Sequence, residues 1–424
     1  RRLWKSRKTQ RQQPRRLHGR QRKRNNLIIR SMDFNMLFNP VDLSSLDIND
    51  TSAEGSGELL FNTITFFDNQ EDLDISAFKI AIIGVTETRN SHRNFSASLG
   101  PDEIRRSFYK LYHWKKEISV IDLGNLKLGK TVEDTYESLS EISAYLMDSK
   151  VIPVVLGGSN DLAFACYRAY EKLSQFVNMV GIDACFDLGS EEMPLKSNAY
   201  LNKIILQQPN FLMNYANIGY QSYMNSNETI ALMESLYFDT YRVGIAKSQI
   251  ENTEPIVRNA HLLTIDISAI RKPDAPGNPH GSPHGFSGED LCQMALYAGL
   301  SDSLTQIGFF EYDPTLDYHN QTSQMLSHAL WYFIEGVTER VGDIAFKNKK
   351  DFIRFSVTVS AYNDEMIFLR SKKTDRFWTL VPILNSRSEG KKYYFLPCSE
   401  DDYKLACNDI IPERWWRAFQ KMNR

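Results

Sequence analysis

The feature that most constrains this chain is a series of short, almost uniformly apolar runs spaced between residues 79 and 312. They are K-I-A-I-I-G-V (79–85), I-S-V-I-D-L-G (118–124), V-I-P-V-V-L-G-G (151–158), N-M-V-G-I-D-A (178–184), A-N-I-G-Y (216–220), Y-R-V-G-I (241–245), H-L-L-T-I-D-I (261–267) and Q-I-G-F-F-E-Y (306–312). A strand with apolar residues on both faces must be covered on both faces, which is how strands of a parallel sheet read. Segments with helical spacing fall between several of the runs: Asp102–Leu111, Thr131–Met147, Asp161–Leu173, Asn227–Leu236 and Gly288–Ala298. The alternation predicts a three-layer α/β/α domain with a mainly parallel sheet over residues 76–343.

The two ends read differently. Residues 32–75 mix apolar, acidic, Ser and Asn residues and predict a lead-in of short helices or loops. After Asp343, D-F-I-R-F-S-V-T-V-S-A-Y, E-M-I-F-L-R, R-F-W-T-L-V-P-I-L and K-K-Y-Y-F-L-P predict antiparallel strands, so 344–424 is expected to be a small β-rich extension. Its closing segment I-P-E-R-W-W-R-A-F-Q-K predicts a helix with Pro412 in the first turn. There, Trp415 and Trp416 are expected to pack on the extension.

The formal net charge of −2 conceals an asymmetry. Residues 1–31 hold 13 Lys or Arg and no Asp or Glu, so 37 basic and 52 acidic residues remain, a net of −15. The arm reads either as a disordered polyanion-binding tail or as no part of the native protein, with Met32 as the start of translation; the second reading is preferred. The acidic body argues against a nucleic-acid partner. Five cysteines (Cys166, Cys185, Cys292, Cys398 and Cys407) are scattered, odd in number and without a C-x-x-C pair. That pattern predicts reduced thiols and a cytoplasmic setting. No apolar run approaches the ~20 residues that a bilayer requires, so no membrane partner is expected.

Ligands of parallel sheets bind beyond the carboxyl ends of the strands. Three strand ends here carry polar clusters: V-V-L-G-G-S-N-D with Ser159, Asn160 and Asp161; V-G-I-D-A-C-F-D with Asp183, Cys185 and Asp187; and L-L-T-I-D-I-S-A-I with Asp266 and Ser268. Taken singly, each fits a capping or loop carboxylate as well as a ligand. Taken in order, with R-N-S-H-R-N-F-S-A-S-L-G-P-D-E-I-R, A-N-I-G-Y, T-I-D-I-S-A-I-R-K-P-D-A-P-G and F-F-E-Y-D-P-T-L-D, the chain resembles the ureohydrolase family of arginases, agmatinases and formimidoylglutamases over roughly residues 76–340.

That resemblance implies an arginase-like fold and a small guanidino or formimino substrate whose C–N bond is hydrolysed. It also implies a homo-oligomer and two Mn²⁺ ions held by two His and four Asp, the ions activating a bridging water. Asp183, Asp187 and Asp266 match three of the Asp ligands, and Asp183 and Asp266 would also act in catalysis. The remaining positions hold Asn160 and Cys185 for His and Ser268 for Asp. Glu311 matches the substrate-orienting glutamate. No small realignment restores an imidazole, because no histidine lies between His113 and His261. K-S-N-A-Y-L-N (196–202) stands where the arginase branch carries a proton-shuttling His. A thiolate also suits softer metals than Mn²⁺.

The expected outcome is one divalent ion or none. Activity would be weak, altered or lost, the alternative being a catalytically inactive scaffold or regulatory partner. Without an ion, three close carboxylates must be partly protonated, or neutralised by Arg271 and Lys272. His280 and His284 are candidate replacement ligands, but the Pro and Gly residues around them argue for solvated loop histidines. Cys185 is a candidate nucleophile with no neighbouring His to activate it.

Overall fold

The strands fall where the apolar runs predict: β1 Ile80–Val85, β2 Val120–Leu126, β3 Ile152–Gly157, β4 Val177–Ile182, β5 Leu212–Tyr220, β6 Asp239–Arg242, β7 Leu262–Asp266 and β8 Gln306–Phe310. This computed structural model describes residues 32–46, 56–69, 73–189, 195–344, 349–362, 364–384 and 392–423, so the basic arm 1–31 lies outside the described residues. The eight strands lie side by side in the order 2-1-3-8-7-4-5-6, every neighbouring pair parallel. The lead-in adds two-residue strands to the β2 edge, Phe38–Asn39 antiparallel and Thr65–Phe66 parallel.

One correction concerns the run 241–245. Only its first two residues are strand, and Val243–Ser248 turns into a short helix. β6 is an edge strand, half exposed, so nothing holds Val243–Ile245 in an extended ladder.

The helices cover both faces. α1 (Gly100–Phe108), α5 (Gly288–Leu300) and α6 (Gln321–Thr338) bury Ile104, Phe108, Leu291, Met294, Leu330 and Phe333 on one side. α2 (Val132–Asp148), α3 (Leu162–Leu173) and α4 (Asn227–Ser235) bury Tyr136, Leu139, Ile142, Tyr167, Tyr170 and Met233 on the other. α2 and α5 begin with reciprocal capping boxes, Thr131 with Asp134 and Ser287 with Asp290, which satisfy otherwise free backbone N–H groups. α6 was not anticipated. Its N-cap, Asn320, is left-handed (φ 58°) and makes no side-chain cap; the Asp317 carboxylate, three residues earlier, accepts from the Thr322 (2.9 Å) and Ser323 (3.0 Å) N–H groups instead.

The extension is a four-stranded antiparallel sheet, β9 Phe352–Thr358, β10 Glu365–Ser371, β11 Phe377–Ile383 and β12 Lys392–Cys398, in that order. α7 (Glu400–Cys407) and α8 (Glu413–Met422) close one face around Phe368, Val381, Leu396 and Trp415. Pro412 is the N-cap of α8 rather than a first-turn residue.

The extension sits on the amino ends of the central strands. Asn178, at the start of β4, donates to Tyr394 Oη (3.0 Å), and Lys421 Nζ donates to Asn214 Oδ1 (2.7 Å) near the start of β5. Arg258, on the helix before β7, lies 4.2 Å from the Trp378 ring centre and donates to the carbonyls of Phe377 (3.1 Å) and Cys398 (3.3 Å). Among the described residues, no helix is long and apolar enough to cross a membrane.

Candidate metal centre

The opposite, carboxyl end of the sheet gathers the polar clusters. β3 ends in Gly157-Gly158, and a Cβ on Gly158 would lie 2.2 Å from the Glu87 carbonyl oxygen, so only glycine lets the loops after β1 and β3 meet. Ser159-Asn160-Asp161 then leads into α3. Asp183 follows β4, Asp266 closes β7, and Glu311 follows β8. Asp187 (φ 49°) and Glu311 (φ 65°) both hold the left-handed conformation, which costs an ordinary residue on the order of 1–3 kcal/mol.

Asp183, Asp187 and Asp266 converge, and each offers a carboxylate oxygen within 4.8 Å of the others. Asp183 is 2% exposed and Asp266 6%, while Asp187 reaches solvent. Asp183 Oδ1 accepts from the Cys185 N–H (2.8 Å) and the Ser268 hydroxyl (2.9 Å). Asp266 Oδ1 accepts from the Ser268 N–H (2.7 Å). These bonds do not offset the crowding. Burial, then the charges of Asp187 and Asp266, push Asp183 well above the usual carboxylate range. Burial, then Asp266, raises Asp187 to about 7, and burial raises Asp266 to about 6.

Among the described residues no Lys or Arg ion-pairs with the three carboxylates. The expectation that Arg271 and Lys272 neutralise them is overturned. Arg271 Nε pairs with Asp274 (2.8 Å), and Lys272 Nζ donates to the Asn278 carbonyl (2.6 Å).

Asn160 faces the cluster with its amide. Nδ2 donates to Asp187 Oδ2 (3.0 Å) and, more weakly, to Asp183 Oδ2 (3.4 Å). Its Oδ1 is buried without a hydrogen-bond partner. An orphaned buried acceptor beside three uncompensated carboxylates fits a hard, oxygen-seeking cation.

The other half of the expected ligand set fits less well. The Ser268 hydroxyl is committed to Asp183, and Cys185 lies outside the group of side chains that could share an ion. Burial, then the charges of Asp183, Asp187 and Asp266, drives the Cys185 thiol pKa up, which disfavours its thiolate. His280 and His284 also lie outside the group. The backbone N–H of His280 donates to Asn278 Oδ1 (2.9 Å), and the His284 carbonyl accepts from Gln221 Nε2 (3.2 Å).

Glu311 is 3% exposed and fully engaged. Oε1 accepts from the Asn160 N–H (2.8 Å) and Oε2 from Asn94 Nδ2 (3.0 Å), which also reaches the Glu311 carbonyl (2.9 Å). Asn94 was not anticipated as a site residue. It belongs to R-N-S-H-R-N-F, but its partner lies 217 positions away, so no local signal identifies it. Tyr215 was missed too. Its buried hydroxyl lies near Tyr200 and Asn217 and would be 2.8 Å from a Cβ on Gly181. His92 is held below its usual pKa by partial burial and then by the nearby Arg93, His280 and Lys196.

Comparison with known proteins agrees with the fold. A sequence model of the arginase family matches residues 78–335. A formimidoylglutamase of Bacillus subtilis is 21% identical over 280 residues, 61% of this chain and 86% of that protein. One from Staphylococcus aureus is 23% identical over 290 residues, 65% and 92% of the two chains. Among solved structures, the Bacillus subtilis formimidoylglutamase superposes with a TM-score of 0.60 at 18% identity, over 66% of this chain and 92% of that one. Trypanosoma cruzi formiminoglutamase with Mn²⁺ gives 0.60 at 15% identity, over 67% and 99%.

Proposed function

Because this chain belongs to the arginase family, we propose that its site keeps one divalent-cation position in place of the two-ion hydrolytic centre that its family resemblance implies. Asp183, Asp187 and Asp266 would hold the ion, and Asn160 would join them with its amide turned over so that Oδ1 replaces Nδ2 beside the carboxylates. The observation that carries this reading is the convergence of three carboxylates within 4.8 Å with no cationic side chain paired to them. A bound ion of this kind supplies Lewis-acid polarisation and a more acidic water. Cys185 and Ser268, where a second ion needs imidazole and carboxylate, supply a thiol and a committed hydroxyl. The ligand class is a small guanidino or formimino compound, and hydrolysis of its C–N bond is slow or absent.

Metal analysis of purified protein, with assays on formimidoylglutamate, agmatine and arginine, tests this. The expected result is one bound ion or fewer per chain and turnover far below that of a two-ion enzyme. Two Mn²⁺ per chain with efficient hydrolysis would overturn it. A second reading, a catalytically inactive scaffold or regulatory partner, draws on Glu311, whose carboxylate oxygens already accept from Asn160 and Asn94. Turnover that is lost in Asp183→Ala would exclude it.

A further inference from the structure

A second cavity, of about 530 Å³, opens beside the carboxylate cluster and shares none of its residues. Three segments at the carboxyl end of the sheet build it: Tyr220 at the end of β5 with Tyr223 after it, Arg242 and Lys247 around the end of β6, and Arg271 and His284 after β7. No Asp or Glu lines it, in a body whose net charge is −15.

Its cations keep unused donors. The exposed Arg242 guanidinium makes no hydrogen bond or ion pair among the described residues. Arg271 uses Nε on Asp274 and leaves both terminal nitrogens free. Lys247 Nζ donates once, to the Gly285 carbonyl (2.9 Å), with Asp290 at 3.7 Å. The opposite character comes from the tyrosines. Tyr220 is paired with Arg242 in the sheet register and packs on Phe186 with ring centres 4.9 Å apart, while the Tyr223 ring is 68% exposed. A guanidinium fork selects phosphate geometry, an aromatic ring offers a stacking surface, and the volume suits a metabolite-sized molecule.

We infer that this cavity is a binding site for a phosphate-bearing ligand with a planar ring, the chemistry of a nucleoside diphosphate. The phosphate lies against Arg242, Lys247 and Arg271, and the ring lies against Tyr223. The cavity stands apart from the cluster, so the inference does not depend on the metal reading.

Titration calorimetry on the full chain, with ADP and with inorganic phosphate as probes, tests it. ADP is expected to bind one per chain and more tightly than phosphate. Arg242→Ala should weaken ADP by about tenfold or more, the size of one lost charge-assisted hydrogen bond. Tyr223→Ala should weaken ADP while leaving phosphate unchanged, and Asp266→Asn should leave ADP unchanged. The inference is overturned by absence of saturable binding, by equal affinity for the two probes, by full affinity in Arg242→Ala or by loss of ADP binding in Asp266→Asn.

Discussion

Asp183, Asp187 and Asp266 make the site sensitive to pH in a definite direction. Their folded pKa values lie above the ordinary carboxylate value, so the fold favours their protonated forms. The stabilisation is complete below the unfolded value and is lost as pH rises through about 6 for Asp266 and about 7 for Asp187. In chelator, Tm should therefore fall between about pH 4 and pH 7, and added Mn²⁺ should raise it more at the upper end. Asp266→Asn should flatten both trends, and a wild-type Tm insensitive to Mn²⁺ would contradict the cation reading. Cys185 gives a second check. Though partly open to solvent, its thiol should react with iodoacetamide at neutral pH far more slowly than the exposed Cys407, as peptide mass spectrometry can read. Local pattern places the three carboxylates at strand ends, and only the family resemblance groups them as one set. Neither reveals that Asn160 spends its amide nitrogen on Asp183 and Asp187, or that Asn94 clamps Glu311. Those contacts join loops far apart in the chain.

Strands were more legible than helices because a buried parallel strand has nowhere to place a polar side chain. A helix can begin with its cap displaced from the usual position, as α6 does when Asp317 caps it from three residues before a left-handed Asn320, and an edge strand can stop early, as β6 does at Arg242. Where a signal is present, it has a measurable weight. Thr131 accepts from the Asp134 N–H (3.1 Å) while Asp134 accepts from the Thr131 N–H (2.9 Å). Thr131→Ala should destabilise the protein by about 1 kcal/mol in urea unfolding, with an unchanged slope. A larger loss would mean that the loop Gly129–Thr131, whose carbonyls accept from Arg89, unravels with the cap.

The whole molecule divides its labour between the two ends of one sheet, with the candidate sites at the carboxyl ends of the strands and the extension at the amino ends. Composition announced that 344–424 differs from the rest, but not where it docks, since docking rests on single polar residues such as Asn178 and Arg258. Arg258 is 5% exposed and divides its bonds between Glu254 on its own helix and the extension, where it meets Trp378 and two carbonyls. Trp378→Ala should cost about 3–5 kcal/mol, read as a lower urea midpoint of a single transition. A separate early transition for the extension would show that it folds independently. The strand order also sets a timetable. β8 lies between β3 and β7, so the partner of Ile152–Gly157 on that side is synthesised about 150 residues later. At ribosomal speeds of about 5–20 residues per second, the middle of the sheet waits on the order of 10–30 s for its central strand. Glu311, which meets Asn160 and Asn94, arrives with that strand. The site is therefore assembled only once β8 has been made, and two apolar strand edges must be kept from other chains until then.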